Sequence, residues 1–344
     1  MSFVKLTVSA LALGAVSATA AAARDEIRIV GSSTVFPYTQ AVAEQFANNT
    51  GAPSPIVEST GTGGGMKIFC GGIGEGHPDI TGASRAMKKS EYNLCQENGV
   101  TDISEAMIGF DGLSIAVSRS NDADWDLSLE QVFLALGAEV PVDGKMVANP
   151  YMKWSDIDAS LPATEILAYG PPPTSGTRDA FVELAMEGGC KKFPAIQAIK
   201  KKDKKKYKAI CHSIREDGAF IDAGENDNLI VQKLESNPAA LGVFGFSFLD
   251  QNRDKVQGSI VDKVEPTFDN ISSGKYPVSR SLYFYVKNAH VGVVPGIKEY
   301  IHAFTSETAW GPFGYLADRG LIPLPVAQRD IWRKSSMGLT PYKK

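Results

Sequence analysis

The residues whose types and spacing suggest chemistry most directly form an octet at positions 174–181, which reads Thr-Ser-Gly-Thr-Arg-Asp-Ala-Phe. Three prolines come immediately before the octet and exclude a helix there. The apolar spacing of residues 181–186 predicts an amphipathic helix after it, ending at Gly188-Gly189. The octet is therefore predicted to be a loop that leads into the N-terminus of a helix.

A helix N-terminus offers backbone N–H groups that lack intrahelical acceptors, and the helix dipole is positive there. In the octet, Ser175 and Thr177 add hydroxyl donors, Gly176 allows close approach of a ligand to the backbone, and Arg178 adds a forked cation. These groups together suit a bound oxyanion. The alternative is an ordinary N-cap by Thr174 or Ser175.

Two earlier segments show the same pattern of strand, small polar loop and helix. Residues 26–30 alternate like a strand and run into Gly-Ser-Ser-Thr at 31–34, after which Pro37 opens a helix that fades before Gly51. A second strand at residues 55–58 leads into a Ser/Thr/Gly run at 59–65. In open α/β sheets such loops gather at the carboxyl ends of the strands, so we expect all three to face one anion.

Residues 1–23 have the pattern of a secretory signal. Lys5 provides a positive start, an apolar stretch follows, and small residues near positions 20–23 offer cleavage sites. No later apolar run approaches the roughly 18 to 20 residues that a membrane span requires. We therefore predict a soluble periplasmic protein.

The four cysteines form two local pairs in an exported chain, so we predict the disulfides Cys70–Cys95 and Cys190–Cys211. Zinc is the alternative, but no Cys-x-x-Cys spacing exists and the four histidines are scattered, so no metal or other cofactor is predicted.

The net charge of −4 disfavours nucleic acid as a partner of the whole chain. One basic cluster, residues 200–206, contains six lysines around one aspartate. It is interpreted as a solvated face of a helix or loop, and contact with a membrane or a partner stays open.

Strand-like and helix-like segments alternate from residue 27 onward, which predicts an α/β fold with largely parallel sheets. Two long extended runs, at 107–117 and 280–286, are predicted to cross between two lobes. Residues 24–112 and 284–344 then form lobe 1, and residues 113–283 form lobe 2. Two crossover strands at a hinge describe a clamshell that closes on its ligand.

Several segments resemble the ligand loops of the bacterial periplasmic phosphate-binding proteins, the receptors of Pst-type ABC importers. The matching segments are 31–34, 61–65, 79–85, 175–179, 241–246 and 276–283, so the resemblance covers nearly the whole mature chain. It implies a type 2 periplasmic-binding fold, high-affinity binding of inorganic phosphate and no catalysis. It also implies that the partners are a permease and an ATPase and that the protein is a monomer.

The resemblance also implies a ligand set. Ser33 and Thr34 would bind phosphate at the first helix and Thr62 in the glycine run, and the second lobe would contribute Ser175, Gly176 and Thr177. The chain departs from the best-known pattern at two places, with Arg85 in the position of an aspartate and Pro171 in the position of an arginine. The cations are therefore assigned to Arg85 and Arg178.

A buried carboxylate would distinguish phosphate from sulfate. Phosphate near neutral pH keeps a proton that a carboxylate accepts, whereas unprotonated sulfate would face a like charge. Asp111 in the first crossover strand is the candidate, although it is also the first residue of an Asp-Gly turn. Asp79 and Asp179 are the alternatives.

Two rival functions stay open. A phosphatase would need a nucleophile or metal ligands, and the chain has neither a Gly-x-Ser-x-Gly elbow nor a Gly-x-x-x-x-Gly-Lys-[Ser/Thr] loop. A receptor for another oxyanion, such as sulfate, molybdate or a phosphonate, would use the same fold. Equilibrium binding of phosphate measured against sulfate, on protein purified free of ligand, would narrow the choice of anion most.

Overall fold

The computed structural model describes residues 24–224 and 226–344. The strands are β1 (Arg28–Gly31), β2 (Ile56–Ser59), β3 (Ile80–Ala83), β4 (Ile103–Ser118), β5 (Asp126–Leu127), β6 (Glu139–Val142), β7 (Lys145–Ala148), β8 (Ala168–Gly170), β9 (Phe220–Asp222), β10 (Leu241–Gly245), β11 (Val256–Gly258), β12 (Ile260–Val261) and β13 (Ser279–Lys287). The predicted signal, residues 1–23, lies outside the described residues.

The helices are α1 (Phe36–Thr50), α2 (Thr62–Phe69), α3 (Lys89–Glu97), α4 (Leu129–Leu136), α5 (Trp154–Ile157), α6 (Gly176–Phe181), α7 (Glu187–Cys190), α8 (Pro194–Lys202), α9 (Lys204–His212), α10 (Asp227–Ser236), α11 (Phe246–Gln251), α12 (Phe268–Ser272), α13 (Ile297–Phe304), α14 (Glu307–Trp310) and α15 (Val326–Met337). A π-helical segment, Val182–Met186, joins α6 to α7, and short 3₁₀ turns lie at Asn288–His290 and Ala317–Arg319. Within the described part of the chain, no helix is both long enough and apolar enough to cross a bilayer.

Nine strands form one sheet in the order β2-β1-β3-β13-β4-β10-β8-β9, and β11 pairs with the far end of β4. Strands β1, β2 and β3 are parallel to one another, as are β8, β9 and β10. The two long strands between these groups, β4 and β13, run antiparallel to their neighbours. The prediction of largely parallel sheets is therefore wrong, because long crossover strands join two parallel groups into one mixed sheet.

Strand β4 divides the sheet into two half-sheets. Its first ten residues, 103–112, pair with β13, and residues 113–118 pair with β10 and β11. Phe284 and Tyr285 are successive residues of β13 and lie on opposite faces of the sheet. Phe284 is buried in a core with α1 and α13, and Tyr285 in a second core with α2 and α3. A third core packs around β8 and β10. The lobe boundaries proposed above stay a prediction.

The structure confirms both disulfides. Cys70 is bonded to Cys95, and Cys190 is bonded to Cys211. All four cysteines are fully buried, one pair in the core beside α2 and the other in the core around β8 and β10.

The glycine pairs and runs behave differently from their predicted roles. Residues 63–65 lie inside α2 rather than in a loop, and a Cβ on Gly65 would lie 2.4 Å from the Cα of Gly31. The helix after the octet also continues past Gly188-Gly189 to Cys190. A Cβ on Gly189 would lie 1.9 Å from the carbonyl oxygen of Leu129. In both places glycine permits close packing of the backbone, and the second helix ends one residue beyond the predicted glycine pair.

Candidate functional site

Two loops face each other where the half-sheets meet. One follows β1 and contains Ser33 and Thr34, and the other follows β8 and enters α6. A Cβ on Gly176 would lie 3.4 Å from the carbonyl oxygen of Ser33 and 3.6 Å from the Cα of Thr34. Ser33 Oγ also donates a 2.7 Å hydrogen bond to Asp179 Oδ2, across 146 positions of sequence. The fold therefore brings the first and third predicted loops into direct contact.

The backbone before α1 leaves donors available at the site. Gly31 has φ of 137°, and a Cβ there would lie 2.1 Å from the carbonyl oxygen of Gly82, so no other residue fits. The chain then turns as Ser32 N donates to Gly82 O at 3.0 Å and Phe36 N donates to Ser32 O at 2.9 Å. Within residues 24–224 and 226–344, the N–H groups of Ser33 and Thr34 have no acceptor.

The start of α6 presents the positive end of a longer helix. Ser175 Oγ accepts a 3.2 Å hydrogen bond from Thr177 N, so the N-cap that the sequence offered as an alternative is present. Because α6 continues through the π segment into α7, the helical stretch runs from Gly176 to Cys190. Its dipole and its first N–H groups point toward the loop that contains Ser33.

A cavity of about 620 Å³ lies between the loops. Its walls include six of the nine predicted ligand residues together with residues from α1, β2, β4, α10 and α11 and from the segment after α14. The lining residues are Ser33, Thr34, Phe36, Pro37, Tyr38, Ser59, Asp111, Gly112, Thr174, Ser175, Gly176, Thr177, Asp227, Gly245, Ser247, Phe248, Asp318, Arg319 and Gly320.

Two arginines that the sequence analysis did not assign lie at this cluster. Arg319 lines the cavity. Arg280 is not a lining residue, but it contacts Thr34 and Asp111, which are. Its side chain is 8% exposed, and its Nε donates to Asp111 Oδ2 at 3.1 Å. Nη1 donates to Glu183 Oε2 at 2.6 Å, and Nη2 donates to the hydroxyl of Thr34. The guanidinium thus joins β13, β4, the π segment and the first loop.

Burial has the largest effect on the pKa values of Asp111 and Tyr38, two residues that line the cavity. It raises the pKa of Asp111 above the ordinary aspartate value, while the charge and hydrogen bond of Arg280 act in the opposite direction and Glu183 raises the pKa further. Burial, followed by the negative charge of Asp111, also raises the pKa of Tyr38 well above its usual range. Tyr38 therefore stays a neutral phenol beside the carboxylate.

The two arginines assigned from the sequence have partners of their own. Arg85 makes a double hydrogen bond with Glu91, at 2.9 and 2.6 Å, at the start of α3. Arg178 donates to the carbonyl oxygen of Pro171 at 3.0 Å, and its guanidinium lies 4.4 Å from the ring centroid of Phe220. Burial lowers the pKa of Arg178. Neither arginine lines the cavity, which is equally true of Arg280, and their roles as ligands stay predictions.

Thr62 and Asp79 also lie outside the cavity wall. Thr62 Oγ1 is 2.9 Å from Ser84 Oγ and accepts from Ser84 N at 3.1 Å. Asp79 is fully buried just before β3, at the opposite end of that strand from Gly82. Its carboxylate accepts from Arg24 Nη2 at 2.6 Å, and His290 Nδ1 lies 2.6 Å from it.

Comparison with known proteins shows which family the chain belongs to. The family model described as PBP superfamily domain matches residues 16–308. The Staphylococcus haemolyticus protein named phosphate-binding protein PstS is 30% identical over 83% of this chain and 77% of its own length. The chain belongs to the PBP superfamily and, within it, to the PstS family.

Two further relatives agree with membership of the PstS family. Protein SphX of Synechococcus elongatus is 29% identical, over 89% of this chain and 80% of its own length. The solved structure of a possible phosphate binding protein from Planctomyces limnophilus aligns with a TM-score of 0.73 and 27% identity, covering 92% of this chain and 98% of that one. The predicted fold class, a two-lobed type 2 clamshell with two crossover strands, is confirmed.

Proposed function

We propose that this PstS-family protein binds one inorganic phosphate ion in the cavity between the two loops and delivers it unchanged to an ABC importer. The observation that supports this most directly is the meeting of two helix N-termini, those of α1 and α6, beside the buried guanidinium of Arg280. Relatives named phosphate-binding protein PstS support the identity of the ligand.

The donors around the cavity suit a desolvated oxyanion. The N–H groups of Ser33 and Thr34 have no acceptor in the described part of the chain, and the hydroxyls of Thr34 and Thr177 lie on the same wall. N–H groups at helix starts supply hydrogen bonds and a positive potential without the cost of burying several cations. Arg280, in contact with Thr34 and Asp111, then supplies a formal positive charge, and Arg319 on the cavity lining adds a second cation.

Asp111 is proposed as the acceptor of the phosphate proton. Arg280 holds one carboxylate oxygen, Oδ2, while Oδ1 has no donor among residues 24–224 and 226–344. Because Asp111 lines the cavity, this second oxygen is available to a protonated oxyanion. Sulfate has no proton to donate, so it would place two negative groups in contact inside a buried site.

The proposal has no catalytic step. The PstS family consists of substrate-binding proteins, which supports delivery without chemical change. We also propose that residues 1–23 direct export to the periplasm, that a permease and its ATPase receive the ligand, and that the protein acts as a monomer.

Calorimetric titration of protein stripped of ligand tests this function. We expect one site per chain for phosphate and much weaker binding of sulfate, molybdate and methylphosphonate. Binding of one of these other anions with no heat from phosphate would overturn the assignment. If the purified protein releases phosphate from an ester, and the Arg280→Gln variant does not, the absence of catalysis is contradicted.

A further inference from the structure

A separate surface concentrates nine of the chain's 35 lysine and arginine residues in one place. Residues 190–212, which we name the basic hairpin, contain nine lysines and one aspartate. Their formal charge is therefore +8, and since the whole chain carries −4, the other residues together carry −12. The molecule is strongly dipolar, with one compact positive region on an acidic body.

The basic hairpin is rigidly built. Helices α8 and α9 are joined by a single residue, Asp203, whose carboxylate accepts hydrogen bonds from Lys205 N and Lys206 N and so caps α9. The buried Cys190–Cys211 disulfide closes the base of the hairpin. Ile196 and Tyr207 are fully buried on its inner side. The hairpin therefore presents its lysines from a fixed support.

The charged side chains on the outer side of the hairpin are almost all lysines, and most of these lysines form no ion pair within the described residues. Lys192 pairs with Glu130 and Asp262. The other eight lysines form no ion pair within the described residues, and all but the half-buried Lys200 are exposed. These eight are Lys191, Lys200, Lys201, Lys202, Lys204, Lys205, Lys206 and Lys208. Like charges held this close repel each other, so the surface gains from an anionic partner.

We propose that the basic hairpin binds a bilayer surface rich in anionic lipid headgroups. Protein interfaces are depleted in lysine and enriched in arginine and aromatic side chains, and the exposed side of the hairpin has neither. Strings of lysine without a shaped groove are instead typical of adhesion to anionic membranes, where each residue adds a similar increment. The absence of arginine in residues 190–212 also disfavours base recognition in nucleic acid.

The position of the hairpin separates this surface from the cavity. It begins at the C-terminal end of the helical stretch 176–190, whose N-terminus faces the cavity. Fifteen helical residues span about 22 Å. That distance exceeds the Debye length of about 8 Å at physiological ionic strength, so the hairpin acts independently of the proposed phosphate site.

Vesicle co-sedimentation of the mature protein tests the proposal. Vesicles of phosphatidylglycerol and phosphatidylcholine in equal parts are compared with phosphatidylcholine alone, at about 0.1 M and about 1 M salt. We expect binding to the anionic vesicles only, and its loss at the higher salt concentration. A variant with Lys201, Lys202, Lys204, Lys205 and Lys206 changed to Gln should bind at least tenfold more weakly.

The matched control changes five exposed, scattered lysines to Gln, namely Lys67, Lys145, Lys255, Lys275 and Lys298, which gives the same net charge. It should keep most of the binding, and circular dichroism verifies that both variants fold. The proposal is overturned if the parent ignores anionic vesicles at about 0.1 M salt, or if both variants lose binding equally. Binding of polyglutamate or of an oligonucleotide without binding of vesicles would identify a different class of partner and also overturn it.

Discussion

At the scale of single residues, Arg280 links groups that are far apart in sequence. It contacts Asp111 from β4, Glu183 from the π segment and Thr34 from the loop after β1. Glu183 is about half-exposed, whereas Asp111 and Arg280 are buried. An arriving anion therefore competes most directly with Glu183 for the guanidinium.

Replacing Arg280 with Gln should weaken phosphate binding about thirtyfold to several thousandfold, because loss of a buried charge-assisted partner costs on the order of 2–5 kcal/mol. The control is Arg85→Gln, which breaks a partly exposed ion pair with Glu91. It should reduce the free energy of phosphate binding by about 1 kcal/mol or less. Equilibrium dialysis with labelled phosphate measures both. A larger loss for Arg85→Gln would favour the cation that the sequence predicted.

Replacing Asp111 with Asn should weaken phosphate binding and leave sulfate binding unchanged or stronger, because an amide donates to an unprotonated oxyanion. Burial raises the pKa of Asp111, so its carboxylate loses charge as the pH falls through that raised value. An ordinary aspartate has a pKa of about 3.9. As the pH is lowered, the parent should therefore begin to lose its preference for phosphate over sulfate at a higher pH than a protein with an ordinary aspartate at this position would. Calorimetry across a pH series checks both effects. An unchanged ratio in Asp111→Asn would indicate that another carboxylate selects the ligand.

Lys287 provides a pH test of the fold that does not involve the ligand. Its side chain is fully buried, and its Nζ donates to Gly72 O at 2.7 Å. Burial lowers its pKa to about 8, with the charge of Asp79 acting in the opposite direction and that of Arg24 lowering it further. Between about pH 8 and about pH 10.5 the unfolded chain binds more protons than the folded chain, so stability from this group rises with pH.

Denaturant unfolding of the parent and of Lys287→Met measures this contribution. From about pH 7 to about pH 10.5, the parent should gain roughly 3 kcal/mol relative to the variant. The comparison cancels the titration of other groups and any constant cost of the lost hydrogen bond to Gly72. Parallel stability curves for the two proteins would mean that Lys287 titrates normally in the folded state.

At the scale of elements, periodicity predicted the strands and helices around the site well. Residues 26–30 and 55–58 were predicted as strands within two positions of β1 and β2, and α1 ends at Thr50 as expected before Gly51, which has a left-handed conformation. Turn composition could not distinguish a glycine that binds a ligand from one that allows close packing. The distinction depends on which backbone lies opposite, and that is set by tertiary structure.

The pairing of Arg280 with Asp111 shows the same limit at the site itself. The two residues lie opposite each other in the register of β13 and β4. These two residues are 169 positions apart, and neither segment alone predicts the register in which the two strands pair. The one available signal was a single arginine in a strand otherwise made of two serines, large apolar and aromatic residues, and Lys287 at its end. Sequence reasoning therefore named residues of both loops that line the cavity and did not name Arg280.

Glycines of α2 provide a matched pair of substitutions. Gly65→Ala places a methyl group 2.4 Å from the Cα of Gly31 and should destabilise the fold by roughly 1–3 kcal/mol or more. Gly63→Ala meets nothing within 4 Å and should be neutral or stabilise by up to about 1 kcal/mol, because alanine favours a helix. Thermal unfolding of both variants distinguishes them. Equal destabilisation would contradict a helix through residues 62–69.

At the scale of the whole molecule, the two loops meet because long strands join two groups of parallel strands into one sheet. The Ser33 loop ends one parallel group and the Ser175 loop ends the other, and β4 and β13 fix the distance between them. Contacts between the loops, such as the hydrogen bond from Ser33 to Asp179, join the two half-sheets across the cavity. Opening of the two halves about β4 and β13 would separate those donors and release the anion.

The most direct test of the central claim is a crystal structure of the protein with phosphate bound. We expect one phosphate in the cavity, with its oxygens within hydrogen-bond distance of the N–H groups at Ser33–Thr34, of the start of α6 and of the Arg280 guanidinium. Oδ1 of Asp111 should lie about 2.5–2.7 Å from one phosphate oxygen, the spacing of a charge-assisted O–H···O bond. A phosphate bound instead beside Arg85 and Thr62, or at the basic hairpin with the cavity holding only water, would contradict it.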